Sequence, residues 1–324
     1  VIPKLELERR PPLVYREAFF TDAQDGDWSA RNRLNGHFHH LEAQHGGRYF
    51  FQPWAHSFVE LIPPTSFFAQ HPEYFALVEG KRRADAQLCL SNPDVLRLSI
   101  QRVREWIAAH PDASAYSVSQ NDNADWCECE QCASLGPTTS DRLLQFVNRI
   151  ARELPDKTID TLAYQDTRRP PRSTVPAPNV LIRFCPIEAC QAHALGGCRE
   201  SIDAFHDYEG WRRTAKHLVL WRYSANFAHL LAPFPNLSAV AQDLQLPRIE
   251  GAFVQGAGNG PLSDGAELRA YLAAKLLWDP HADVKRHMRE FLQGVYGGAA
   301  PAMARYWKLQ QRVTDHRSEE HTSE

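Results

Sequence analysis

The sequence predicts a (β/α)8 barrel of the TIM type that lacks its first strand and ends in additional helices. Three observations carry this. Seven apolar, β-rich runs punctuate the chain: Leu13 to Phe20, Tyr49 to Phe58, Ala115 to Gln120, Thr158 to Gln165, Asn179 to Pro186, His217 to Tyr223 and Gly251 to Gln255. Several are apolar almost without a break, as parallel strands covered on both faces are. Helical patterns separate them and a long helical stretch follows the last, and such alternation makes a parallel α/β fold. Seven strands leave one place in an eight-stranded ring unfilled.

The elements can be justified in order. Asn92 caps the first clear helix, Pro93 takes its first position, and Val95, Leu96, Val103 and Ile107 form its buried stripe until Pro111. The next starts at Ser140 or Asp141, turns Leu143, Phe146, Val147, Ile150 and Leu154 to one face, and stops at Pro155. From Asp166 to Pro178 the alternation fails. Pro170, Pro171, Pro176 and Pro178 leave no room for a normal helix, so the interval reads as an extended loop. Beyond the last strand, Glu267 to Trp278 ends at Asp279-Pro280, Ala282 to Tyr296 ends at Gly297-Gly298, and Ala299 to Val313 follows.

The expected organisation is therefore a barrel over residues 1–261, its last helix with a helical extension over 262–316, and a tail at 317–324. That tail, Arg317 to Glu324, is what a common sequencing-adapter oligonucleotide encodes in frame. An adapter-derived artefact and a coding fragment are expected.

Composition removes some function classes. The 324 residues, 43% hydrophobic, suffice for one large core. Lys+Arg 36 against Asp+Glu 39 gives a net charge of −3 with the signs mixed, which lacks the basic footprint of a nucleic-acid binder. No apolar run approaches the roughly 20 residues that span a bilayer. Eight Trp, ten Tyr and sixteen Phe supply rings for a core and for stacking on sugar faces.

Seven cysteines leave the redox setting open. Cys127, Cys129 and Cys132 follow one strand end, and Cys185, Cys190 and Cys198 lie in or after another. Cys89 stands alone in an apolar run and reads as buried packing. The Cys-x-Cys-x-x-Cys spacing suits a structural zinc on Cys127, Cys129 and Cys132, suits disulfides equally, and leaves inert thiols as the third reading. His37, His39 and His40 form another cluster, but no carboxylate stands at a compelling spacing, and they read as a polar loop.

The most informative stretch runs from Ser117 to Cys132. A strand empties into Asn121, Asp122, Asn123 and Asp125, then Trp126 and the three cysteines. In parallel barrels the chemistry sits where strands end. A carboxylate there, flanked by amides and a ring, suits a sugar, and no Gly-rich phosphate cradle appears. Asp122 is the first candidate catalytic or substrate-orienting carboxylate, and an Asx-turn is the plainer alternative. Glu188, after the strand ending at Pro186, is the natural second carboxylate, because glycosidases need two across the scissile bond. A solvated or Arg-paired loop Glu is its alternative. His56, Asp166, Trp221, Tyr223 and Asn226 complete a rim of substrate-binding candidates, with Asn121 and Asn123 beside Asp122 to read hydroxyls.

The same stretch, with His71-Pro72-Glu73-Tyr74-Phe75, Gln87-Leu88-Cys89-Leu90-Ser91-Asn92-Pro93, Thr161-Leu162-Ala163-Tyr164, Pro233-Phe234-Pro235-Asn236-Leu237 and Glu267-Leu268-Arg269 through Leu276-Leu277-Trp278-Asp279-Pro280, resembles the family catalogued as domain of unknown function 4838. That group is similar to family 67 α-glucuronidases and family 20 hexosaminidases. The blocks lie in order between Tyr15 and Tyr306. The resemblance implies a bacterial glycoside-hydrolase-like barrel whose first strand lies upstream of Val1. It also implies an oligo- or polysaccharide substrate, no required cofactor, and a periplasmic or secreted location. The chain departs from the pattern twice. Family 20 enzymes carry an Asp-Glu pair where Asn121-Asp122 stands, and relatives commonly have Trp-Asp-Tyr where Trp221-Arg222-Tyr223 stands. An Arg on the rim could bind a uronic-acid carboxylate, while surface exposure explains it more simply.

The leading expectation is a glycoside hydrolase, on uronic-acid-containing glycans among others, with Glu188 as proton donor and Asp122 as base, nucleophile or orienting group. A non-catalytic glycan-binding barrel is the alternative. A zinc-dependent hydrolase would rest only on the Cys and His clusters, which show no open three-ligand site.

Overall fold

The computed structural model describes residues 8–260 and 263–314. The expected tail from Arg317 onward lies outside them. Each of the seven apolar runs contains a strand: β1 Tyr15–Phe19, β2 Phe51–Gln52, β3 Ala115–Ser117, β4 Ile159–Tyr164, β5 Val180–Cys185, β6 His217–Tyr223 and β7 Gly251–Gln255. They form one curled, wholly parallel sheet in the order β1-β7-β6-β5-β4-β3-β2. The longer helices are α1 Pro93–Ala109, α2 Thr139–Arg152, α3 Ile202–Thr214, α4 Leu237–Asp243, α5 Ala266–Trp278, α6 Val284–Tyr296 and α7 Ala300–Thr314. A two-stranded hairpin, Leu77–Val78 with Lys81–Arg82, stands apart from the sheet.

Local chemistry sets the helix starts. The Asn92 side chain accepts from the Asp94 and Val95 amides, with Pro93 at the first helical position. Thr138, rather than Ser140 or Asp141, caps α2 by accepting from the Asp141 amide. That frees the Asp141 carboxylate to accept from the amides of Arg172, Ser173 and Thr174, pinning the Pro-rich loop beside the helix.

Strand alternation divides the core in two. One face of the sheet packs against the helices through residues such as Ile159, Ile182, Phe184, Leu218 and Leu220. The other lines the inside of the curl with Tyr15, Phe19, Phe51, Leu162, Tyr164, Leu181, Cys185, Val219, Trp221, Tyr223 and Phe253. A third, smaller cluster of Leu268, Leu272, Leu292, Ala300 and Trp307 joins α5, α6 and α7. Gly265, just before α5, sits at φ +57, and a Cβ there would meet the Trp307 ring.

The missing strand is not where the sequence reading put it. A strand upstream of Val1 would stand between the first and last strands, yet β1 pairs directly with β7 through all five of its residues. The sheet is open instead between β1 and β2, and a non-strand segment bridges that seam. The Asn35 amide donates to Arg16 O, and the Tyr49 amide donates to Asn35 O. Two residues on, the His37 and Phe38 amides donate to the Glu17 side chain, with Phe38 N 3.2 Å from Oε1. Gly36 is required between them, because a Cβ would strike the Glu17 carboxylate. His39 belongs to this seam too. It is fully buried, with Nδ1 donating to Ala23 O and Nε2 lying 3.4 Å from Glu17 Oε1, so His39 is not part of a polar loop as expected, whereas His40 is exposed.

Candidate active site

The strands' C-terminal ends converge on a cavity of about 220 Å³ lined by His56, Asp122, Leu162, Tyr164, Cys185, Ile187, Trp221, Tyr223 and Gln255. Alternation explains the membership. Leu162 and Tyr164 of β4, Trp221 and Tyr223 of β6, and Gln255 of β7 are inward positions two residues apart or on paired rungs. Beneath lies a buried ion pair, Arg183 Nη2 with Asp160 Oδ2 at 2.5 Å. The Arg183 guanidinium packs over the rings of Phe51 at 4.3 Å and Trp54 at 4.6 Å. That stack fixes Trp54 beside Trp221, at 5.5 Å between ring centres, and so stiffens one wall.

The polar groups are few and oriented. Tyr164 donates from its hydroxyl to Asp122 Oδ1 at 3.0 Å and accepts from Gln165 Nε2 at 3.2 Å. Burial, then the charge of Asp122, holds the Tyr164 phenol above its usual range, so it remains the donor. His56 is held through Nδ1, which donates to Gln120 O at 2.9 Å. Trp221 Nε1 donates to Gln255 Oε1 at 2.6 Å. Burial pushes the Tyr223 phenol and the Cys185 thiol up, so both are neutral. Two residues of the rim, His56 at φ +52 and Gln165 at φ +50, hold left-handed backbone conformations that the surrounding bonds must sustain.

Four sequence candidates therefore meet in one cavity: Asp122, His56, Trp221 and Tyr223. Tyr164 and Gln255 were missed, although inward alternation along their strands was a signal for both. The others lie outside the lining. Asn121 is committed elsewhere, its Oδ1 accepting from the Val59 amide and its Nδ2 donating to Ala86 O. Asn123 likewise donates to Asp85 O. Asp166 is exposed, and Asn226 accepts from the His229 amide. Glu188 is held by Arg168, Oε2 to Nη1 at 2.9 Å, and Arg168 also reaches Asp207. It still stands near the cavity, for its charge adds to the upward push on Tyr164, Tyr223 and Cys185.

Arg222 needs a correction. Between the inward Trp221 and Tyr223, it projects from the opposite face of β6. There it is fully buried, paired with Asp243 at 2.6 Å and donating to Gln191 O, His193 O and Tyr223 O. It is neither on the rim nor at the surface.

The cysteines also regroup. Cys127, Cys129 and Cys132 are buried together with Cys89, the residue expected to be mere packing. Cys190, His193 and Cys198 form a separate group and do not supply a fourth member to the first.

Among the described residues, no helix is long and apolar enough to cross a membrane. A family model described as "Domain of unknown function (DUF4838)" matches residues 1–308. No curated protein sequence matches the chain. Among solved structures, a mutant O-GlcNAc hydrolase from Thermobaculum terrenum is similar at a TM-score of 0.51 and 11% identity, over 96% of this chain and 69% of that one. A β-N-acetylhexosaminidase from Bacteroides fragilis aligns over 69% of this chain and 48% of its own, at a TM-score of 0.45 and 11% identity. At such identity the first likeness speaks for the fold alone.

Proposed function

The chain belongs to the DUF4838 family, and from its strand-end cavity we propose that it is a carbohydrate-active barrel, a glycoside hydrolase working on an oligo- or polysaccharide. One observation carries this reading. Asp122 is fixed by the Tyr164 hydroxyl at the mouth of a cavity walled by Trp221 and Tyr223. A carboxylate set against aromatic faces is what a pyranose ring and its reacting centre need. Asp122 acts as the base, nucleophile or orienting group, and Glu188 as the proton donor once a ligand draws it from Arg168. His56 and Gln255 read hydroxyls. The barrel assigned to residues 1–261 holds this site, with its lining between His56 and Gln255, and 262–316 is assigned to the last helix and its extension.

The uronic-acid preference loses its main support, since Arg222 is turned away and the lining contains no Arg or Lys. A neutral sugar suits a lining without a cationic side chain better. The non-catalytic reading draws on a specific observation as well: Asp122 is the one carboxylate in the lining.

A panel of aryl glycosides, including N-acetylhexosaminides and glucuronides, tests the choice. Turnover of one class should fall ~10²–10⁴-fold in Asp122→Asn and in Glu188→Gln without loss of fold. Glu188→Gln should be spared on substrates with good leaving groups, which need little protonation. Full activity in both variants would sink the assignment. Glycan binding without turnover on any substrate would establish the binding module.

A further inference from the structure

The four buried cysteines around the Asp122 loop have the geometry of a metal centre. Their Sγ atoms all lie within 4.8 Å of one another. Cys89 Sγ stands 3.8 Å from that of Cys129 and 3.7 Å from that of Cys132. A tetrahedron with zinc–sulfur bonds of ~2.3 Å sets its sulfurs about 3.8 Å apart. Disulfide-bonded sulfurs would be at ~2.05 Å, and all four are free thiols.

The surroundings are those of thiolates rather than of apolar packing. The Leu77 amide points at Cys127 Sγ from 3.3 Å, and the Cys132 amide at Cys129 Sγ from 3.4 Å. Ser91 Oγ lies 3.2 Å from Cys132 Sγ, and Arg82 Nη1 lies 3.7 Å from Cys127 Sγ. Donors directed at sulfur are the outer contacts that tune and orient metal-bound thiolates, and the Arg82 cation offsets the charge that four thiolates leave on a divalent ion. Four soft ligands select zinc over magnesium or calcium. With all four positions taken by protein, such a site is structural, not catalytic.

We propose that Cys89, Cys127, Cys129 and Cys132 bind one zinc ion, and that this ion clamps the loop carrying Asp122 onto the segment from Phe75 to Leu90. The clamp lies beside a polar seam between the same two stretches. The Gln87 amide donates to Asp125 O, its side chain donates to Asn121 O and Asn123 O, and the Glu128 amide donates to Leu77 O. Asp122 sits in the span so held, which makes the four cysteines positioning residues for the rim. The site stands on its own geometry, whatever reaction the cavity performs.

Metal analysis of the purified full chain decides the matter, using a Cys190→Ser/Cys198→Ser background so that the other group cannot contribute. One equivalent of zinc is expected there, and Cys89→Ser or Cys132→Ser should remove it. Cobalt loaded into the same background should give the intense visible bands and thiolate charge transfer of a tetrahedral four-sulfur site, a readout that holds even where a cysteine variant fails to fold. Stripping the metal should speed amide exchange over residues 75–90 and 121–132 while β5, β6 and β7 stay protected. Zinc content at background, unchanged zinc in Cys89→Ser, or a disulfide among the four on non-reducing peptide mapping would each overturn the site. Unchanged exchange after stripping would overturn the clamp.

Discussion

Glu17 shows how a single buried group can govern a seam. Burial pushes its carboxyl up to about 8 against the hydrogen bonds of the Phe38 and His37 amides, so near neutrality it carries a proton. Burial holds His37 and His39 at about 4, so both are neutral. The contact between Glu17 and His39 is then a carboxylic O–H facing an imidazole lone pair, not an ion pair. Linkage gives each a window. Glu17, raised from 4.5, contributes stability that is full below that value and lost as the pH climbs to about 8. The histidines, lowered from 6.5, contribute stability that is full above that value and lost as the pH falls to about 4. Of the three, Glu17 alone titrates above pH 6.5. Denaturant titrations should therefore show a fall of ~2 kcal/mol between pH 6.5 and 8, and Glu17→Gln, which keeps the acceptor and supplies an N–H, should flatten it. An unchanged slope would refute the buried acid. At the same scale, the candidate site was legible where a residue's type and its place after a strand coincided, as for Asp122 and His56. Asn121 misled because an amide beside a carboxylate looks the same whether it awaits a sugar or knits two loops. Cys89 was hidden because its three partners lie some forty positions onward.

Elements were easier to read than their contacts. All seven strands announced themselves through apolar runs, and α1, α2, α5 and α6 through caps, stripes and glycine or proline stops, with α7 as the stretch that follows. Helix α3 did not, because Ile202–Thr214 carries its apolar residues without a clean stripe. The bridging segment Asn35–Phe38 has no period at all; it holds its place by borrowing a side-chain acceptor from Glu17. Strand β6 shows what alternation decides. Its Arg222 looked like a changed active-site residue, yet it faces α4 and is neutralised there by Asp243. Arg222→Asp, the exchange that would restore the pattern of relatives, should set two buried carboxylates against each other. We expect it to cost about 3–5 kcal/mol in chemical denaturation and to confer no activity. A well-folded Arg222→Asp variant with new turnover would return that position to the site.

At the scale of the whole molecule, one pairing unites the first and last strands of the sheet. Strand β1 lies against β7, and just beyond it Thr21 Oγ1 donates to Gly260 O across 239 residues of sequence. In pulsed hydrogen exchange during refolding, the amides of β1 should gain protection after those of β4, β5 and β6, because a contact this distant must wait for everything between. Simultaneous protection would argue for a nucleus already containing both ends. The same pairing has a meaning in time as well as in space. A ribosome releases β1 first among the seven strands and β7 last, an interval on the order of 10–50 s at ~5–20 residues per second. Through that interval Tyr15 and Phe19 lack the strand they pack beside, and the edge of β1 that faces β7 stays unpaired, the kind of edge on which other chains can pair.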